Sequence, residues 1–199
     1  MVWLALGCLL GGVLCGLLFF PPEVTAFFVG NSEWFLWGLM FLVGISVGLS
    51  KGVFAKVKSY GFRVLLLPLS ITAASVTAGL FCAPLTGLDL GESVAIASGM
   101  GWYSLTGILL TGLAGAEVGA IGFLGNLLRE MFSFLVIPWI AAHLNHYTAI
   151  APAGATSEDT TLAVLIRCTR EEIVVLAVFN GVLCSAAVPV LIRFFYGVL

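Results

Sequence analysis

Residues 125–140 read GNLLREMFSFLVIPWI, an apolar stretch in which Asn126, Arg129, Glu130 and Ser133 stand at relative positions 0, 3, 4 and 7. That spacing gathers the four polar side chains on one face of a helix. The surrounding run, Val118 to Ala142, is long enough to cross a hydrocarbon layer of roughly 30 Å. Ionisable groups at that depth cost several kcal/mol each, so they face a partner or a water-filled cavity. The stripe is therefore expected to point inward, as part of a site or, in the plainer reading, as an Arg129–Glu130 ion pair that holds helices together.

Composition agrees with a chain bathed in lipid. Of 199 residues, 61% are hydrophobic and only 9% are charged, against roughly 25% charged in a soluble domain. Too few polar residues remain to cover a water-facing surface. With 8 basic and 10 acidic residues the net charge is -2, which leaves no basic surplus for binding a nucleic acid backbone. The five cysteines are scattered singly through apolar stretches, and His143 and His146 sit together in a polar break, so no metal site and no cofactor are expected. An intramembrane hydrolase needs a His beside a Ser at depth, and these histidines lie at a span end. An enzyme is not expected.

Apolar runs of membrane length are Val2 to Phe20, Trp34 to Ser50, Phe62 to Thr86, Ser93 to Leu113, Val118 to Ala142 and Ile173 to Tyr196. The first lacks a basic leader and a small-residue cleavage site, so it reads as a span. Thr148 to Ile166 is less apolar and reads either as a crossing or as a re-entrant loop, the crossing being preferred. The expected fold is all-α, a polytopic bundle of about seven membrane segments, interrupted or re-entrant helices among them, in one integral-membrane domain over residues 1–199. Lys51, Lys56, Lys58 and Arg63 place the loop between the second and third spans in the cytoplasm. With every segment crossing, Arg167 and Arg170 also fall inside and the C-terminus outside. Gly is 24 of 199, and spacings such as Gly7/Gly11 and Gly12/Gly16 suit close helix packing.

Two further stretches carry polar chemistry. In APAGATSEDTTLAV, residues 151–164, Pro152 and Gly154 discourage a regular helix ahead of Thr156, Ser157, Glu158 and Asp159. A half-helix starting there would favour carboxylates and free N–H groups near a substrate, with Ser157 or Asp159 as a simple N-cap the plainer alternative. In SGMGWYSLTG, residues 98–107, glycines bracket Trp102, Tyr103 and Ser104 and permit a broken helix of the sort that exposes backbone to a solute. Two acids at depth, Glu130 and Asp159, suit a cationic or zwitterionic solute and proton exchange. There is no nucleotide-binding loop, so active movement would draw on an ion gradient.

The three stretches GMGWYSLTGILLT (99–111), NLLREMFSFLVIP (126–138) and GATSEDTTLAVL (154–165), in this order and followed by a last span with Asn180-Gly181 and Pro189, resemble the bacterial lysine exporter family LysO. The resemblance covers essentially the whole chain. It implies export of L-lysine, and of analogues such as thialysine, across the bacterial inner membrane, with intramembrane acids carried onto Glu130 and Asp159. Glu158 departs from the family pattern, which has an apolar residue there. In the working mechanism these acids alternate between protons, or sodium, and the lysine ammonium, while Asn126, Thr156, Ser157 and the backbone of Gly99 to Ser104 hold the amino-acid end. Full-length members carry extra N-terminal spans, which implies a small membrane subunit that supplies them, or a homodimer. The rival readings are a carrier or channel for another amino acid and a non-transporting assembly subunit.

Overall fold

The computed structural model describes residues 18–31 and 61–199 continuously, with scattered residues between 7 and 45. The spans read at Val2 to Phe20 and Trp34 to Ser50, and the basic loop Lys51 to Arg63, lie largely outside the described residues. Contacts divide the chain into two compact units, Met1–Leu49 and Ser50–Leu199. In the first, α1 (Pro22–Gly30) starts on a proline, whose missing N–H costs nothing at a helix start.

The second unit is built from α2 (Leu66–Thr86), α3 (Leu90–Ala97), α4 (Tyr103–Ala114), α5 (Ala116–His143), α6 (Leu162–Cys168) and α7 (Glu171–Val198). Three of these, α2, α5 and α7, are long and apolar enough to cross a membrane. Helix α2 ends at Gly87, whose φ of 75° lets its N–H return to Ala83, the left-handed stop that glycine allows without a Cβ clash. Asp89 then caps α3 in a capping box with Glu92, satisfying the free N–H groups of the first turn.

The direction of each element follows from its contacts. Val64, just before α2, shares an apolar cluster with Ile137 and Ile140 of α5 and Ile173 of α7, and Ser75 of α2 meets Arg129 of α5. Helix α2 therefore runs upward from a lower end, α5 runs down and α7 runs up again. Helix α3 descends beside α2, with Ser93 Oγ donating to Gly79 O at 2.8 Å. Its first turn lies at the upper end, where Gly91 sits against Phe195 O and Leu199. The chain then breaks over Ser98–Trp102 and α4 climbs back antiparallel to α5. Tyr103 meets Phe123 edge-on at 5.2 Å, and a Cβ on Gly122 would lie 2.6 Å from Leu110 Cδ1. Gly122 is what permits this close approach.

Residues 90–114 therefore enter from the upper end, turn at mid-depth and leave by the same end. Ser93 to Leu113 does not cross, a correction to the run-length reading. Residues 148–168 do the same from below: two 3-10 turns, Thr148–Ile150 and Gly154–Glu158, lead inward, and α6 returns. Ala149, Ile150 and Leu165 pack in the lower cluster with Ile137, Ile140 and Ile173. The crossing preferred for Thr148 to Ile166 is likewise corrected to a re-entrant hairpin. The two changes cancel in parity, so Arg167 and Arg170 stay at the end where α2 begins.

Candidate functional site

The tips of the two hairpins meet. Ala155 N–H donates to Met100 O at 2.9 Å, and Gly154 lies so close to Met100 that a Cβ would collide with its carbonyl. Both tips use left-handed backbone: Met100 at φ 47°, Gly101 at 96° and Gly154 at 58°. For the fully buried Met100 such a φ is uncommon in a side chain bearing a Cβ and is held by its surroundings.

An asparagine stitches each tip to the long helix that follows it. Asn126 of α5 donates to Ile96 O and Gly122 O, each at 2.9 Å, and accepts from Gly101 N–H at 2.8 Å. Asn180 of α7 donates to Gly154 O and Ser157 Oγ, each at 3.0 Å, while Ser157 Oγ reaches Ala177 O at 2.7 Å. These bonds replace the ones that broken helices leave open. Asn126 and Ser157 thus tie the tips down, and Thr156 Oγ1 donates to Ala153 O within the lower tip; the three are buried at 2%, 0% and 6% exposure.

The acids gather beside this junction. Glu130 is only 1% exposed; its Oε1 accepts from Thr160 Oγ1, and its Oε2 has no hydrogen-bond partner. Thr160 Oγ1 also lies 3.2 Å from Asp159 Oδ1. A hydroxyl has one proton, so Thr160 can serve only one of these carboxylates at a time. Glu158 accepts from Ser185 Oγ at 2.8 Å and packs on Gly181, where a Cβ would stand 2.6 Å from its backbone N. Tyr103 is partly buried at the foot of α4. Glu130 and Asp159 thus share one hydroxyl proton, and the open oxygen of buried Glu130 is a deficit that a cation or a proton would fill.

Several sequence expectations change here. Arg129 and Glu130 form no ion pair: Arg129 Nη1 donates to Ser75 Oγ at 2.9 Å, while Glu130 turns to Thr160. Successive residues on a helix point about 100° apart, which separates the two. Asp159 and Ser157 are not N-caps, because α6 starts after Thr161 with no side-chain cap. Asp159 is exposed in the isolated chain, whereas Glu130 is buried. Trp102 ends the first tip and Ser104 is partly buried in the first turn of α4. Sequence reading missed Thr160, Asn180, Ser75 and Ser185 as site residues. Asn180 carried a signal, as an amide inside the apolar run Ile173 to Tyr196.

Among the described residues the fold is all-helical, with three helices long and apolar enough to cross a membrane and two hairpins that meet from opposite ends, the architecture of a polytopic membrane bundle. A family model described as lysine exporter LysO matches residues 6–196. The lysine exporter LysO of Escherichia coli (strain K12) is 36% identical over 182 residues, 92% of this chain and 58% of that protein. A Haemophilus influenzae protein also named for lysine export is 30% identical over 190 residues, 96% of this chain and 93% of that one. This chain belongs to the lysine exporter LysO family, a family of transporters rather than enzymes. It spans under two thirds of the E. coli relative's length. No solved structure matches it.

Proposed function

We propose that this chain exports L-lysine, and analogues such as thialysine, across the bacterial inner membrane, exchanging the outgoing cation for incoming protons at Glu130 and Asp159. The observation that carries the reading is Glu130: a carboxyl 1% exposed, with one oxygen unpartnered, beside Asp159 and Glu158 at the meeting point of two broken hairpins. An ammonium group supplies the missing donors. Moving a monovalent cation outward against an inside-negative potential costs about 2.3 kcal/mol per 100 mV, so export requires coupling. Acids that must be either protonated or paired with lysine provide it, and sodium is the other ion such oxygen-rich groups accept.

In this reading the lower end, with Arg167 and Arg170, faces the cytoplasm, since basic segments are retained there. Asp89, Glu92 and Glu117 then stand outside.

The test is efflux of labelled lysine from preloaded proteoliposomes under an imposed pH gradient, for the chain alone and with any co-purifying small membrane protein. Gradient-driven efflux that falls by tenfold or more (about 1.4 kcal/mol or more) in Asp159→Asn and Glu130→Gln supports the reading. Absence of lysine movement in folded wild type, under sodium as well as proton gradients, sinks it.

A further inference from the structure

Arg129 is the one charged group at the junction whose role the acid cluster does not explain. It stands one residue before Glu130 on α5, is partly buried, and makes one hydrogen bond, Nη1 to Ser75 Oγ at 2.9 Å. Among the described residues no carboxylate lies within ion-pair distance of it, although three acids stand on neighbouring segments. A guanidinium offers five donors in a planar fork suited to a carboxylate. Its other terminal nitrogen faces the tip of the lower hairpin, 3.1 Å from where a Cβ on Gly154 would stand. With no Cβ at Gly154, the guanidinium can lie close against this tip. Enclosing an arginine in an apolar bundle without a counter-charge is unfavourable, and an anionic ligand group offsets that.

The spacing fits one end of a zwitterion. Gly154, beside the fork, and Glu158, at the acid cluster, bound a single 3-10 segment, and at about 2 Å rise per residue its ends are about 8 Å apart. An extended lysine separates its carboxylate from its side-chain ammonium by a comparable length. We propose that Arg129 is the receptor for the substrate's α-carboxylate, held in place by Ser75, so that the lower hairpin tip lies along the substrate with a cationic site at one end and acids at the other. This rests on the export reading for the choice of lysine, but the carboxylate contact is separable from it. The arrangement selects amino acids over simple diamines, because a diamine leaves the fork unpaired.

The test compares binding of lysine and lysinamide, which keeps both amino groups but replaces the carboxylate with an uncharged amide, by ligand-dependent thermal unfolding of the full chain in detergent. Wild type is expected to favour lysine by about tenfold or more, as a charge-assisted contact warrants. Arg129→Gln should bring that ratio close to one, leaving lysinamide within about twofold of wild type. Arg129→Lys keeps the charge and should give an intermediate ratio. Ser75→Ala leaves the fork in place but untethered, and should lower the ratio several-fold even if Arg129→Gln does not fold. A ratio unchanged in the variants, an equal loss of both ligands, or a wild type that does not discriminate overturns the proposal. Discrimination without lysine efflux in proteoliposomes overturns lysine export alone, and efflux without discrimination overturns the carboxylate receptor alone.

Discussion

Asn126 sits where one side chain closes three backbone accounts, those of Ile96, Gly122 and Gly101. Removing a buried partner costs about 1–3 kcal/mol for each group left unsatisfied, so Asn126→Ala is expected to destabilise the upper tip by about 2 kcal/mol or more. A drop in melting temperature of the purified protein checks it. Asn126→Asp keeps the acceptor for Gly101 but turns a carboxylate oxygen toward the carbonyls of Ile96 and Gly122, and should be at least as destabilising as alanine. An alanine variant as stable as wild type would mean that the tip finds other partners. Glycine at 154 answers to a different constraint: its φ is positive and a Cβ would press on Met100 O. Gly154→Ala should therefore separate the tips rather than only weaken one, with loss of transport at near-normal expression.

At the scale of elements, the three long helices were legible, the lower hairpin only as the alternative to a preferred crossing, and the upper one only as a broken span, for a physical reason. An apolar run of membrane length that turns at its middle has the same hydropathy as one that crosses. The glycines around Met100 announced the break, but the direction of α4 is decided by how Gly107 and Gly122 receive Phe123 and Leu110, which only packing reveals. The polar stripe of α5 was read correctly as inward for Asn126, Glu130 and Ser133, all buried; Arg129's partner was not legible, because Ser75 lies 54 residues away. Topology can be tested directly. In a background without native cysteines, Thr86→Cys and Ala116→Cys should react with a membrane-impermeant thiol reagent from one side, and Asn145→Cys and Arg170→Cys from the other. A crossing by residues 90–114 would put Thr86 and Ala116 on opposite sides.

Across the second unit, the upper hairpin with α5 and the lower hairpin with α7 repeat one plan in opposite directions. Helices α5 and α7 have 28 residues each, and each carries an asparagine, Asn126 or Asn180, that ties down the tip preceding it. Inverted halves of this sort allow a midplane site to open toward either end through equivalent rearrangements. The halves are not equivalent in chemistry, however. The upper tip brings Trp102, Tyr103 and Ser104, whereas the lower brings Glu158, Asp159 and Thr160, so the acids stand on one of them. Alternating exposure then has a definite signature. Ser104→Cys, at the upper tip, should label from both faces of the membrane, with lysine slowing both reactions, because each state opens the junction to one end. Labelling from one face only, in protein that still moves lysine, would rule out exchange between the two halves and require a path that bypasses the meeting of the tips.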